Sequence, residues 1–246
     1  MTIHRISQGN EEFVFRGPSF ESGKKKCIFY FAAGGVETLV DEPFVTPVIP
    51  CIDNDVRVFS LDIPFHGKTK NHNISIQQWY DELLLGRDPL TTFFDDTTKS
   101  ILKIVNNSRI CSSFGLMGLS RGAFIVLHLA KRIVQPCPVV GFAPLLNLFG
   151  LDEAKNLPIN EELSLLHDVD LLCKKPIRLS IGNNDTRVGT KNAFLFLEKI
   201  VEKSVAQSVR SCQIELYVHP SIGHKGHGTS TETFYEGTKW LLSKLE

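Results

Sequence analysis

The sequence predicts a doubly wound α/β fold: a mostly parallel sheet with helices on both faces. Three observations predict it. Short runs rich in Val, Ile, Phe and Tyr recur along the chain, each apolar nearly throughout. Continuous apolarity, rather than alternation, marks strands buried on both faces. Amphipathic stretches of helical period lie between them, the pattern of a parallel sheet with crossover helices. No internal repeat, low-complexity tract or Pro/Gly/Ser-rich linker divides the 246 residues, so a single domain over 1–246 is expected.

The elements follow in order. The residues from Ile3 to Phe15 predict an antiparallel edge. Cys27 to Ala33, Val56 to Leu61, Phe114 to Gly118, Val139 to Ala143, Ile177 to Ile181 and Ile214 to Val218 predict six buried strands. Thr98 to Asn106 reads as a helix with Ile101, Leu102 and Val105 on one face. Arg121 to Ile133 reads as a helix buried against the sheet. Asn192 to Val201 is expected to turn Phe194, Leu195, Leu197, Ile200 and Val201 inward, and Thr233 to Leu245 closes the chain with Phe234, Trp240, Leu241 and Leu245. Two intervals, 64–96 and 144–175, are long for plain connections; each is read either as a cap or pocket excursion or as an ordinary packed helix.

Composition narrows the function. The 27 Lys and Arg balance the 27 Asp and Glu, which argues against a nucleic-acid footprint. The basic run Lys24-Lys25-Lys26 stands before an apolar run and reads as a solvated strand entry. No stretch approaches the roughly 18 apolar residues of a membrane span, and 1–16 carries no apolar signal core. The expectation is a cytoplasmic protein with neither membrane nor nucleic acid as partner. The six cysteines are widely spaced, with no Cys-x-x-Cys pair. That suits a reducing compartment, although an even number leaves disulfides open.

The chemistry-bearing residues sit at strand ends. Gly118-Leu119-Ser120-Arg121-Gly122 matches Gly-x-Ser-x-Gly between a predicted strand and a predicted helix, the setting of a nucleophile elbow. The glycines leave room for a sharp turn, and the new helix would aim the Arg121 N–H at a developing oxyanion. A serine needs a base, and the base an orienting acid. Asp185 follows the fifth buried strand and His224 the sixth, so Ser120, Asp185 and His224 stand in the chain order of this architecture. His219, His224 and His227 share one loop. His224 is favoured because Gly223 before it permits a close approach; His227 is second, and His219 is read as structural. Three imidazoles could also bind zinc, but no second ligand cluster accompanies them and no metal is expected. Ala33 or Gly34, in the small-residue run after the first buried strand, is the expected second oxyanion donor. His66 precedes the serine in the chain and is read as a structural loop residue. Arg187 is expected to pair within the acid loop or to meet an anionic substrate; Arg121 is a helix-surface residue or a substrate anchor.

With these residues the chain resembles the α/β-hydrolase superfamily from about Cys27 onward. Gly118-Leu119-Ser120-Arg121-Gly122, Gly141-Phe142-Ala143-Pro144-Leu145 and Ile181-Gly182-Asn183-Asn184-Asp185-Thr186-Arg187-Val188 look like a prolyl-oligopeptidase or dienelactone-hydrolase-like branch. The resemblance implies a Ser–Asp–His triad without metal or organic cofactor, carried here by Ser120, Asp185 and His224. It departs from the family where Ala32-Ala33-Gly34 replaces the usual His-Gly, and without a propeller among these residues, gated selection of oligopeptides is not expected. The expected activity is cleavage of a small acyl ester through an acyl-enzyme. A non-catalytic binding protein of the same fold is the rival reading, and an acyltransferase or peptidase would use the same residues.

Overall fold

The computed structural model describes residues 2–9, 11–67, 75–154, 157–158, 160–166 and 169–245; parts of both long intervals, including 68–74, lie outside the described residues. The strands are β1 (His4–Gln8), β2 (Glu11–Arg16), β3 (Lys25–Phe31), β4 (Arg57–Ser60), β5 (Cys111–Leu119), β6 (Val139–Phe142), β7 (Ile177–Gly182) and β8 (Ile214–His219). They form one sheet in the order β1-β2-β4-β3-β5-β6-β7-β8. β1 and β2 make an antiparallel hairpin, β2 runs antiparallel to β4, and the remaining pairings are parallel. The six predicted strands are thus β3 to β8, and the predicted edge is the hairpin; β8, expected to be buried, forms the opposite edge of the sheet and leaves Tyr217 and Val218 exposed, because no further strand among the described residues covers it. The basic run enters β3, where Lys25 pairs with Asp55.

The helices are α1 (Gly35–Val40), α2 (Val48–Asp53), α3 (Ser75–Leu84), α4 (Pro89–Val105), α5 (Arg121–Arg132), α6 (Thr190–Ala206) and α7 (Thr231–Ser243). Strand β3 shows why the fold has two layers of helix. Cys27, Phe29 and Phe31 enter the core shared with α3 to α6, while Ile28, Tyr30 and Ala32 enter the core shared with α1, α2 and α7. Successive side chains point to opposite faces, so an all-apolar strand must be covered twice. Among the described residues no helix is long and apolar enough to cross a membrane.

Three helices differ from expectation. α4 begins at Pro89 rather than near Thr98, because Asp88 caps it: its Oδ1 accepts from the N–H groups of Leu90 and Thr91 at 2.9 and 3.0 Å. An Asp cap followed by Pro at the first helical position is a strong start signal. α6 buries Ala193, Phe196, Ile200 and Ser204. Ile200 is buried as expected, whereas Phe194 and Val201, also expected inward, are 51% and 42% exposed; the buried residues follow helical period on a face shifted toward Ala193 and Phe196. α3 fills part of the first long interval, with Trp79 and Tyr80 fully buried. The second interval is held by short 3-10 turns, including Leu148–Gly150 and Asp152–Ala154.

Two buried polar groups illustrate opposite solutions. Arg57 is fully buried and spends its guanidinium on four backbone carbonyls, those of Pro18, Ser19, Gly23 and Ile110. His128 on α5 is buried between Phe94, stacked at 4.5 Å, and Phe124 at 4.4 Å, and among the described residues neither ring nitrogen has a partner at good hydrogen-bond geometry, the Leu163 backbone giving at most a weak contact. Burial, and then the charges of Lys131 and Arg132, push its pKa well below the ordinary value. The unfolded chain therefore takes up a proton near pH 6.5 that the folded chain refuses. Stability from this site is complete above that pH and is lost as pH falls through it. Urea unfolding at pH 7 and pH 5 should show wild type losing about 2 kcal/mol more than His128→Leu over that interval. Equal losses would mean that the folded protein accommodates the imidazolium.

Candidate active site

The site is assembled at the C-terminal ends of β5, β7 and β8. Ser120 sits between β5 and α5 at φ 55, ψ −115, a left-handed conformation that costs a non-glycine residue free energy. Its neighbours hold it there. The Ser120 N–H donates to the Phe142 carbonyl at 2.8 Å, and the Ser120 carbonyl accepts from Ala123 and Leu145 at 3.0 and 3.1 Å. The flanking glycines have steric reasons. A Cβ at Gly118 would meet the Gly122 carbonyl oxygen at 2.4 Å, and one at Gly122 would lie 1.7 Å from the Phe31 carbonyl oxygen.

Asp185 is buried in the turn after β7. Its Oδ1 accepts from the backbone N–H groups of Arg187 and Val188 at 2.9 and 3.1 Å. Thr190 braces the same turn: its Oγ1 accepts from the Asp185 N–H at 2.9 Å and donates to the Gly182 carbonyl at 2.6 Å. The other carboxylate oxygen, Oδ2, accepts from Nδ1–H of His227 at 2.7 Å. The Ser120 hydroxyl donates to Nε2 of His227 at 2.8 Å. The bond to the carboxylate fixes the tautomer, with the proton on Nδ1 and the lone pair facing the serine.

The imidazole in this chain is His227, not the expected His224, which is exposed at the start of a 3-10 turn. The reason lies in how the loop after β8 closes. The Lys225 carbonyl accepts from the Thr186 N–H at 2.9 Å, and the Gly228 N–H donates back to the Ile222 carbonyl at 2.8 Å. Gly226 packs so closely on the acid turn that a Cβ there would lie 2.3 Å from the Asn184 carbonyl oxygen. The loop thus crosses the Asp185 turn at 225–226 and brings the next residue, His227, to the serine. His219 turns Nδ1 toward the Pro220 carbonyl at 3.1 Å. Among the described residues, no three His, Cys, Asp or Glu side chains converge as metal ligands.

The expected oxyanion donors fare differently. The Arg121 N–H makes no hydrogen bond among the described residues. The Ala33 N–H is already given to Thr38 Oγ1 at 3.0 Å, whereas the Gly34 N–H faces the Glu37 carboxylate across 3.4 Å. Arg187 reaches beyond its own loop: it grips Glu153 with both terminal nitrogens at 2.9 and 2.6 Å. That pairing holds Glu153 below and Arg187 above their ordinary pKa values. It also ties the acid turn to the interval 144–175. His66, read as structural, is buried and accepts at Nε2 from the Arg121 guanidinium at 2.6 Å. A cleft of about 850 Å³ lies beyond the Gly34–Gly35 segment, lined by Glu11, Glu37, Asp41 and Asp62 among others; Ser120, Asp185 and His227 do not line it.

No protein-family model matches the chain, and no curated protein matches it in sequence. Solved structures do match in shape. Dipeptidyl peptidase 4 from Porphyromonas gingivalis superposes with TM-score 0.70 at 14% identity, over 98% of this chain and 35% of that one. An esterase from Pyrococcus furiosus, Pf2001, gives TM-score 0.66 at 18% identity over 99% of this chain and 92% of that one. The α/β-hydrolase domain-containing protein 10 from mouse gives 0.64 at 15% identity over the full length of both. This chain has the α/β-hydrolase fold. Within that fold the elbow at Ser120, the acid after β7 and the histidine after β8 occupy the strand-end positions at which open α/β sheets place their sites.

Proposed function

We propose that this α/β-hydrolase-fold chain is a serine esterase acting on small acyl esters. The observation that supports it is the unbroken chain of two hydrogen bonds from Asp185 through His227 to Ser120, at 2.7 and 2.8 Å. In this reading His227 removes the hydroxyl proton as Ser120 Oγ attacks the ester carbonyl. Asp185 holds the imidazole and stabilises its charged form. The tetrahedral oxyanion is met by the Arg121 N–H and by that of Gly34, whose bond to the Glu37 carboxylate, at 3.4 Å, is longer than the 3.0 Å bond of the Ala33 N–H to Thr38 and is given up to the oxyanion. The intermediate collapses as His227 returns the proton to the departing alkoxide. Water, activated by the same imidazole, then attacks the acyl-enzyme and releases the acid. Trp79 and Tyr80 of the interval 64–96 are fully buried in the core and so do not wall the pocket. Turnover of p-nitrophenyl butyrate by wild type and by Ser120→Ala tests the reading. Hydrolysis that disappears with the hydroxyl is expected; turnover unchanged in Ser120→Ala would remove the serine from the chemistry.

A further inference from the structure

Arg121 carries more than the oxyanion N–H. Its side chain is partly buried, and its one hydrogen bond among the described residues runs to Nε2 of His66. His66 gives its Nδ1–H to the Pro64 carbonyl at 2.8 Å, and Trp79 donates to the same carbonyl at 2.9 Å. The ring facing the guanidinium is therefore neutral, and it is fixed in place. Among the described residues, the carboxylates in electrostatic reach are Glu153 and Glu37. The first is held by Arg187 through both oxygens, and the second faces the Gly34 N–H. Neither makes an ion pair with Arg121. Burial, and then the nearby charge of Arg187, push the Arg121 pKa below its ordinary value.

Arg57 shows what a purely structural buried arginine looks like in this chain: four carbonyls saturate it. Among the described residues, Arg121 instead keeps most of its five donors unspent, arranged in the planar fork that matches a carboxylate. Its surroundings place it between the two sides of the site. Glu37 comes from the oxyanion side and Arg187 from the acid side. The neighbour of His66, Gly67, lies so close to Gly34 that a Cβ on Gly34 would meet the Gly67 Cα at 3.0 Å. A desolvated cation without a paired anion is costly, and a bound anion would remove that cost.

We propose that Arg121, positioned by His66, receives a carboxylate of the substrate, so that the preferred esters carry a free carboxylate near the scissile bond. The proposal rests on the serine-esterase reading and names its substrate class. The test compares kcat/KM for monomethyl glutarate and for the neutral methyl pentanoate. Wild type should prefer the anionic ester by about tenfold or more, the scale of one hydrogen-bonded charge pair. Arg121→Met should abolish most of that preference and Arg121→Lys part of it. The neutral ester reports folding and triad function in each variant. His66→Phe should raise KM for monomethyl glutarate more than for methyl pentanoate. Equal use of both esters by wild type, or a preference that survives in Arg121→Met, overturns the proposal. Should neither ester turn over and Ser120 take no fluorophosphonate, the esterase reading itself fails. Titration of glutarate into Ser120→Ala, with and without Arg121→Met, then decides the anion site alone: Arg121-dependent heat supports it, and absence of heat ends it.

Discussion

Replacing His227 by Ala should lower kcat for p-nitrophenyl butyrate by about 10⁴-fold or more, while His224→Ala should stay within about twofold of wild type. The two residues lie three positions apart, yet only His227 contacts the serine and the acid. Without it the Ser120 hydroxyl has no base, and the Asp185 Oδ2 loses its donor. The residual rate would come from the oxyanion donors and substrate binding alone. His224 is exposed, and its removal leaves that chain intact. The reverse pattern would mean that the loop at 219–228 closes differently in solution.

Gly122→Ala should be the most damaging of the small substitutions. Its Cβ would be placed 1.7 Å from the Phe31 carbonyl oxygen and 2.9 Å from the Ala32 nitrogen. Both are backbone atoms, so no side-chain rotation can relieve the overlap; β3 or α5 must move. Such overpacking is expected to cost about 3 kcal/mol or more. It would also displace the segment after Phe31 from the elbow, so ester turnover should fall even in molecules that remain folded. Gly86→Ala is the matched control: its φ is +72, and nothing lies within 4 Å of the added carbon. Only conformational strain of about 1–2 kcal/mol applies there. Thermal unfolding of the two variants should therefore separate them clearly. Equal shifts would show that the packing of α5 on β3 yields more easily than the contacts imply.

The central strands β3 to β7 were legible because they carry runs that are apolar on both faces, and a continuous run of Val, Ile and Phe has few other uses. In the hairpin only β2 carries such a run, Phe13-Val14-Phe15, while β1 alternates between half-buried and exposed residues. The short helices α1 and α2 were not, since six residues offer less than two turns of periodicity. The start of α4 was written in Asp88-Pro89, a local cap signal overlooked beneath the length of the interval. At α6 the apolar residues cover more than one face, and only contact with the sheet selects Ala193, Phe196 and Ile200 over Phe194 and Val201. The serine and the acid were legible from motif and strand-end position. The histidine was not, because chain order admits any of three. The favouring of His224 rested on Gly223, but Gly226 and Gly228 flank His227 and make the same argument for it. What decides is where the loop crosses the acid turn, a tertiary contact between Lys225 and Thr186. The Arg187–Glu153 and Arg121–His66 pairings join residues 34 and 55 positions apart, and no local pattern announces them.

Activation of Ser120 by His227 is read out by intact mass after exposure to a fluorophosphonate probe, on wild type, Ser120→Ala, His227→Ala and His224→Ala. A single adduct is expected on wild type and His224→Ala, none on Ser120→Ala, and labelling slowed by orders of magnitude on His227→Ala. Folded wild type that takes no adduct, or a Ser120→Ala protein that still takes one, would contradict that activation.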